Sequence, residues 1–232
     1  MTSTLLLRFR GPMQSWGHES RFTVRSTGAQ PTKSGVIGLL AAAEGRRRSD
    51  SVEDLVGLRF GVRIDQPGTV TKDFQTAIDW RTGHSKPLVS RYYLADAVFV
   101  AGIEGPHAVL EGIADALKRP RFPLFLGRRS CPANADLLIG IRESDLISAL
   151  HDEPWQAAAH YRRTRPRTVD LPVLRDGRPG EVGTDVQDVP VNYAQEHREY
   201  AWRTVVHDEP VRVDNALGTG AADGFFETVV TA

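Results

Sequence analysis

The chain contains 232 residues, of which 41% are hydrophobic and 25% are charged, a composition typical of a globular protein and not of a disordered one. Its longest apolar run, 36–43, is far shorter than the roughly 20 residues of a membrane helix, and charged residues follow the N-terminus too soon for a signal sequence. We therefore expect a cytoplasmic protein without membrane contact. The single cysteine excludes an internal disulfide, and the seven scattered histidines indicate neither a metal site nor a cofactor.

The basic residues are distributed unevenly, although the formal net charge is zero. Residues 1–132 carry 19 basic and 12 acidic side chains, whereas residues 133–232 carry 10 and 17. Arginine accounts for 25 of the 29 basic residues; its planar guanidinium suits phosphates, but a GC-rich genome also enriches arginine. Two clusters stand out, at 46–48 and 118–129, and they fit either an anion-binding surface or two solvated loops.

Hydrophobic patterning predicts strands and helices in the first 142 residues. In chain order these are a strand at 3–11, a helix at 31–45, a short helix at 50–58, a half-buried strand at 59–65, a long central strand at 91–103, a helix at 106–118 and a short strand at 135–142. We expect Thr32 or Ser34 to cap the first helix, and Ser51 and Asp54 resemble a capping pair of the short one.

The predicted fold class is α+β. Without the short helix the order is βαββαβ, that of the ferredoxin-like fold of RNA-recognition (RRM-like) modules. We place this domain at 1–142, a smaller β-rich C-terminal part at 143–206 and a mobile tail at 207–232. The C-terminal part is predicted to contain a partly helical segment at 145–161, a strand entering a loop at 160–176, a turn or disordered segment at 176–185 and a strand at 198–206.

The connection at 71–90 is long for a compact domain, and long connections are often functional. It combines aromatic and basic residues, including Phe74, Trp80 and Lys86, around a Thr-Gly tip. The sequence predicts a projecting β-hairpin, or thumb, whose rings and cations suit nucleic acid. Alternatively, Phe74 and Trp80 pack onto the second half of the chain.

Four segments together resemble one family. They are "LRFRGPMQSWG" (7–17), "PTKSGVIGLLAAA" (31–43), "RYYLADAVFV" (91–100) and "RPRFPLFLGRRSCP" (119–132). In this order they are similar to the CasD family, the subunit of the type I-E CRISPR Cascade complex that holds the 5′ handle of the guide RNA (crRNA). The resemblance covers about residues 3–142 and then thins to "QDVPVNY" (187–193) and "REYAW" (198–202).

The resemblance implies an RRM-like fold with a thumb and a non-catalytic subunit present once per complex. It also implies a position at the foot of a filament of backbone subunits. The implied partners are the crRNA 5′ handle, the Cascade backbone subunit and the Cascade large subunit, with target DNA reached only through the complex.

The candidate RNA-binding residues lie in three places, namely a helix start, the loop that contains "GRRS", and the predicted thumb. They are Lys33, Ser34, Arg119, Arg121, Gly127, Arg128, Arg129, Ser130, Trp80, Arg81 and Lys86. We expect Arg128 and Arg129 to contact phosphates, and Gly127 to let the RNA backbone approach. Lys33 and Ser34 would form a second anion site at the N-terminus of a helix.

The role of one further set of residues is left open. Met13, Gln14 and Trp16 could contact a partner or stack on a base, but Trp16 could equally fill its own core. Gly35 and Gly38, inside the first helix, are expected to admit another backbone, and Cys131 to be a packed apolar residue.

Two other function classes are compatible with parts of the sequence. A metal-independent endoribonuclease processing precursor crRNA could draw its acid and base from His18, Tyr92, Tyr93, Lys86 and His84, although no compact triad is visible. A nucleotide loop at "GTGAADG" (218–224) has no strand before it and no helix after it, which argues against a small-molecule enzyme.

Overall fold

The computed structural model describes residues 2–17, 24–193 and 198–219. Within these ranges the chain is a mixed α+β structure with eleven strands and five helices. None of these helices is both long enough and apolar enough to cross a lipid bilayer.

Seven antiparallel strands form the larger sheet. From one edge to the other they are β10 (Thr184–Asn192), β11 (Glu199–Asp214), β9 (Thr168–Asp176), β4 (Arg59–Gln66), β7 (Val98–Pro106), β1 (Thr2–Arg10) and β8 (Leu138–Arg142). The strands of the C-terminal part therefore extend the same sheet as those of the first 142 residues. β11 continues to Asp214, so part of the segment expected to be a mobile tail is a paired strand, while residues 220–232 lie outside the described residues.

A smaller sheet is built around β6 (Val89–Ala95). Its other strands are β2 (Met13–Gln14), β3 (Val24–Arg25) and β5 (Thr69–Gln75). The single long strand predicted at 91–103 is wrong, because the chain turns at Asp96, whose φ is 56°, and β6 and β7 join different sheets. β5 and β6 form an antiparallel hairpin that continues through a bridge between Ile78 and Ser85.

The helices are α1 (Lys33–Glu44), α2 (Glu53–Val56), α3 (His107–Lys118), α4 (Leu146–Asp152) and α5 (Ala159–Arg163). Thr32 caps α1 by accepting a hydrogen bond from the Gly35 amide, as predicted, and Gly45 ends it in a left-handed conformation. The predicted capping pair of α2 is wrong, because the N-cap is Val52 and Asp54 pairs with Arg46.

The central strands of the larger sheet, β4, β7 and β1, are buried on both faces. On one face Leu5, Leu7 and Phe9 pack with α1 and α3, and on the other Leu6 packs with α4. This explains the nearly continuous apolar run of β1. β4 was expected to be half-buried, but its second face is covered too. Arg63 is fully buried there, with its guanidinium bound to Asp65 and to backbone carbonyls beneath α4.

Candidate nucleic-acid interface

A cleft of about 1330 Å³ lies beside α1. One wall is the flank of α1 itself, including Ser34, Gly35 and Gly38, and the 46–48 turn extends this wall. The loop at 122–129, which begins hydrogen-bonded to the end of α1, and the smaller sheet form further walls, and the residues at the start of β11 complete the lining. The cleft therefore draws on segments that are far apart in the chain, from Ser15 to Tyr200.

Arginine dominates the lining, and no carboxylate of the described residues lines the cleft. The arginines are Arg25, Arg46, Arg47, Arg48, Arg91, Arg128, Arg129 and Arg198. Five of them, at 25, 47, 48, 129 and 198, are exposed and form no ion pair with another described residue. Unpaired cations gathered on one concave surface create the positive potential that concentrates a polyanion.

The adjacent residues Arg128 and Arg129 have different surroundings. Arg128 is half-buried, donates hydrogen bonds to the backbone oxygens of Tyr92 and Arg25 (3.1 and 2.9 Å), and lies 5.0 Å from the ring centroid of Tyr93. It therefore fastens the 122–129 loop to the smaller sheet. Arg129 and Ser130 are exposed, and only Arg129 of these two lines the cleft.

Gly127 lines the cleft, but packing within the protein explains why it is glycine. Its φ is 86°, and a Cβ built on it would overlap the carbonyl oxygen of Ser15. The expectation that Gly127 makes room for an RNA backbone is thus corrected, since the close approach is to the protein's own chain.

The predicted anion site at the start of α1 is wrong. The Asp188 carboxylate already accepts the Lys33 amide (2.8 Å), and the Lys33 ammonium is buried against Asp176 (2.8 Å). Arg203 joins both carboxylates, at 2.7 Å from Asp176 and 2.6 Å from Asp188. Burial lowers the pKa of Arg203, but these carboxylates outweigh it and raise the pKa. Ser34 is also buried, although it lines the cleft.

Trp16 fills its own core. It is fully buried, 5.2 Å from the ring of Phe9, and its indole N–H donates to Gln14, which is also fully buried. Gln14 in turn donates to the carbonyl of Ala97 (2.8 Å). Of the three residues expected to stack or to contact a partner, only Met13 is exposed.

The sequence predicts that another backbone packs against the two glycines of α1. In the structure they accommodate side chains instead. A Cβ on Gly35 would press on the ring of Trp16, and one on Gly38 would approach the hydroxyl of Tyr193 at 3.3 Å. Tyr193 donates that hydroxyl to the carbonyl oxygen of Ser34. α1 is thereby held between Trp16 and the chain that follows β10.

On the β5–β6 hairpin, Phe74 and Trp80 are exposed, whereas Tyr93 is buried. Trp80 is 89% exposed and Phe74 is 67% exposed, so neither packs onto the second half of the chain. Arg81 lies 5.9 Å from the Trp80 ring centroid, and Lys86 pairs with Asp79 (3.2 Å). None of these residues lines the cleft.

Arg119 and Arg121 are exposed but lie outside the cleft lining. The Arg121 side chain covers Gly45, and its amide donates to the carbonyl of Ala43. Cys131 is buried, which raises the pKa of its thiol, in keeping with a packed apolar role.

The residues nominated for an endoribonuclease are not gathered at one point. Tyr93 is buried beneath Arg128, whereas His84 and Lys86 lie seven or more residues further along the hairpin. His18 and most of the 218–224 segment lie outside the described residues. Within the described ranges, no three His, Cys, Asp or Glu side chains are grouped so as to hold a metal ion.

Sequence reasoning missed several residues that line the cleft. Arg25, Arg91, Arg198, Tyr193 and Tyr200 were not nominated, although the last three fall in or at the edge of the segments that carried the weaker part of the family resemblance. The 46–48 cluster was interpreted as part of an anion-binding surface or as a solvated loop, but it was not placed in a site, because nothing local indicates that it shares a cleft with the 122–129 loop.

Comparison with known proteins identifies the family. The family model described as CRISPR-associated protein (Cas_Cas5) matches residues 4–206. The CRISPR system Cascade subunit CasD of Escherichia coli (strain K12) is 37% identical over 181 residues, covering 69% of this chain and 78% of that protein.

Two solved structures are also similar. One described as "CRISPR RNA-guided surveillance complex" has a TM-score of 0.74 and 32% identity, and covers 98% of each chain. Another, "Crystal structure of Cas protein", has a TM-score of 0.69 and 38% identity, and covers 94% of this chain and 98% of the other. Since the family model matches most of the chain and the bacterial CasD is similar over more than two thirds of it, the chain belongs to the CasD/Cas5 family of CRISPR-associated proteins.

Proposed function

We propose that the chain is a crRNA-binding subunit of a CRISPR Cascade complex and that the arginine cleft holds the 5′ handle of the crRNA. The observation that carries this proposal is the lining, with eight arginines and no described carboxylate around about 1330 Å³. This volume exceeds the roughly 300–1000 Å³ of small-molecule sites and suits a folded strand of several nucleotides.

The fold supports the proposal. The strand order β4-β7-β1-β8, with α1 and α3 on one face, supports a ferredoxin-like arrangement, which RNA-recognition modules use. Fold alone does not establish function, so the weight rests on the cleft. The membership of the similar structure in an RNA-guided surveillance complex adds to it.

Binding would combine charge with stacking. Exposed guanidinium groups such as those of Arg47 and Arg129 would contact phosphates, while Arg128 adds its charge from a fixed position. Phe122 is 41% exposed and Tyr200 is partly exposed, and both line the cleft, where a base could stack on either ring. The cleft walls would thus hold a sharply turned single strand.

The remaining roles follow from the family resemblance. The hairpin would act as a thumb that contacts the RNA and a backbone subunit, and the chain would cap the backbone filament beside the large subunit. The protein would bind RNA without cutting it. Purified protein incubated with repeat RNA in EDTA should leave it intact, and a discrete cut within the repeat would contradict the non-catalytic role.

Two matched triple variants test the cleft. In the cleft variant Arg47, Arg48 and Arg129 become Gln; in the control, three exposed arginines at and beyond the end of α5, Arg163, Arg165 and Arg167, become Gln. Each lost phosphate contact with single-stranded RNA should reduce the salt slope of log K by roughly 0.7, so the cleft variant should lose about 2 units. The control should bind labelled handle RNA like the wild type. Equal behaviour of the two variants would contradict handle binding in this cleft.

A further inference from the structure

A second group of arginines lies away from the cleft. The segment "RRTRPR" at 162–167, here called the arginine loop, has four arginines, and no acidic residue occurs between Glu153 and Asp170. Arg163, Arg165 and Arg167 are exposed, and none forms an ion pair with another described residue. The proposed handle site makes no use of this charge.

The C-terminal segment fixes the arginine loop. Asn215 is 2% exposed, and its side-chain amide donates to the carbonyl oxygens of Arg162 (2.7 Å) and Pro166 (2.9 Å). Its backbone amide donates to the carbonyl oxygen of Arg167 (2.7 Å), and a Cβ on Gly218 would press on Pro166. The loop is thus a defined surface and not a loose connection.

The arginine loop belongs to the face of the larger sheet opposite the cleft. Trp155 is part of the core beneath α4, and Tyr161 packs against that core, whereas α1 and the cleft lie on the other face. Arg162 lies 5.1 Å from the Trp155 ring centroid and Arg165 lies 5.2 Å from that of Tyr161. A strand seated in the cleft could reach these arginines only by passing around the sheet.

The neighbouring acids do not neutralise the loop. Asp170 pairs with Arg212 (2.9 Å), and Asp96 lies 2.7 Å from His160 at the turn between β6 and β7. Asp214, opposite Thr168 in the strand register, is a further carboxylate at this margin. Of these three acids, only Asp214 forms no ion pair with another described residue, so it alone of the three is left to offset the exposed guanidinium groups.

The low exposure of the aromatic rings near the arginine loop indicates which kind of nucleic acid would bind there. Sites for single strands present free rings on which bases stack. Here Trp155 is only 9% exposed, and Arg165 covers Tyr161, so the surface presents charge without a stacking platform. A double helix, whose bases are already stacked, needs only contacts to its phosphates.

We propose that the arginine loop is a second nucleic-acid surface, which binds the phosphate backbone of a double helix independently of its sequence and of the cleft. The proposal goes beyond handle binding and does not depend on it. Duplex DNA and duplex RNA share this chemistry, and separate titrations distinguish them.

The test measures binding of a 30-base-pair DNA duplex, of an RNA duplex of the same sequence and of single-stranded DNA by the full chain at several salt concentrations. Changing Arg163, Arg165 and Arg167 to Gln should weaken binding to a duplex and reduce the salt slope for DNA by about 2 to 3 units, since each contact contributes roughly 0.9. The variant with Arg47, Arg48 and Arg129 changed to Gln is the matched control and should keep full duplex binding. The two variants therefore test handle binding in the cleft and duplex binding by the arginine loop independently of each other.

A double variant, Arg163→Gln with Arg167→Gln, leaves the stacking of Arg165 on Tyr161 in place and should still lose about 2 units of slope. Unchanged duplex binding by folded variants would overturn the proposal. If the variants lost only single-strand binding, the surface would serve a single strand, and the proposal would also be overturned. The same holds if they lost binding to polyglutamate with no effect on either duplex, because the surface would then serve an acidic polypeptide.

Discussion

Arginine has several roles in this protein, and the immediate surroundings of each side chain decide which. Arg63 is completely buried and bound to Asp65 and backbone carbonyls, and Arg203 links two carboxylates. Arg129 is exposed and unpaired within the described chain, whereas Arg128, next to it, is bound to the smaller sheet. The sequence predicts that "GRRS" carries charge, but it cannot tell these neighbours apart, because the partners of Arg128 are more than 30 residues away.

Replacing Arg128 should therefore affect stability as well as binding. Arg128→Ala removes charge-assisted hydrogen bonds to Tyr92, Arg25 and Ser26, and should lower the free energy of unfolding by about 2 kcal/mol. Arg129→Ala should change it by less than about 0.5 kcal/mol. Urea unfolding of the two variants measures this difference, and equal stabilities would show that Arg128 fastens nothing.

Two glycines with the same backbone conformation test the packing of Gly127. Both Gly127 and Gly180 have a φ of 86°, but only Gly127 faces a backbone carbonyl, that of Ser15. Gly127→Ala should lower the free energy of unfolding by about 2 to 5 kcal/mol, from the left-handed conformation plus overpacking. Gly180→Ala carries only the first cost, about 1 to 2 kcal/mol. Thermal unfolding compares them, and similar losses would mean that the contact with Ser15 is unimportant.

At the scale of elements, local sequence patterns predicted the helices and strands whose positions depend on nearby residues. The caps of α1 and the apolar stripe of α3 after Pro106 fix the positions of these helices, and the apolar run of β1 marks a strand. The apolar stretch at 91–103 concealed the turn at Asp96, because residues on both sides of the turn are buried in different sheets. Nor did the sequence reveal that β9–β11 extend the main sheet, since that depends on contacts such as Asp188 with α1, 155 residues apart.

The ion pairs at the start of α1, among Lys33, Asp176, Asp188 and Arg203, should be essential for holding β9–β11 against this helix. Asp188→Ala leaves Arg203 with one buried carboxylate and the Lys33 amide without its acceptor. Removing one partner of a buried ion pair costs about 3 to 5 kcal/mol. Asp185→Ala, on the same strand but exposed and bonded to Thr204, should cost less than about 1 kcal/mol. Chemical denaturation distinguishes them, and a small loss for Asp188→Ala would refute the proposed role of the network.

The hairpin should be dispensable for folding and necessary for assembly. Residues 73–88 are almost entirely exposed, so replacing them by a Gly-Ser turn removes little of the core. We expect an almost unchanged thermal midpoint but loss of stable complexes with crRNA and backbone subunits in co-purification. Trp80→Ala should weaken assembly, whereas Trp202→Ala, a second exposed tryptophan outside the hairpin, should not. Wild-type assembly without the hairpin would contradict its role as a thumb.

Over the whole molecule, a chain of zero net charge presents two positive surfaces. Several acids of the C-terminal half are used internally, as Asp176 and Asp188 are in binding Lys33 and Arg203. The cleft then collects unpaired arginines on one face of the sheet, and the arginine loop lies on the other. The count of charges along the sequence predicted a positive N-terminal half, but only the fold brings Arg25, Arg48 and Arg198 to one cleft.

The position of the handle can be measured directly. A crRNA carrying 4-thiouridine within its 5′ handle, assembled with the protein and irradiated, should crosslink to peptides that line the cleft, and mass spectrometry identifies them. We predict crosslinks within 46–48, 122–129 and 198–200. Crosslinks confined to the arginine loop at 162–167, or to surfaces remote from the cleft, would contradict the central claim that this cleft holds the handle.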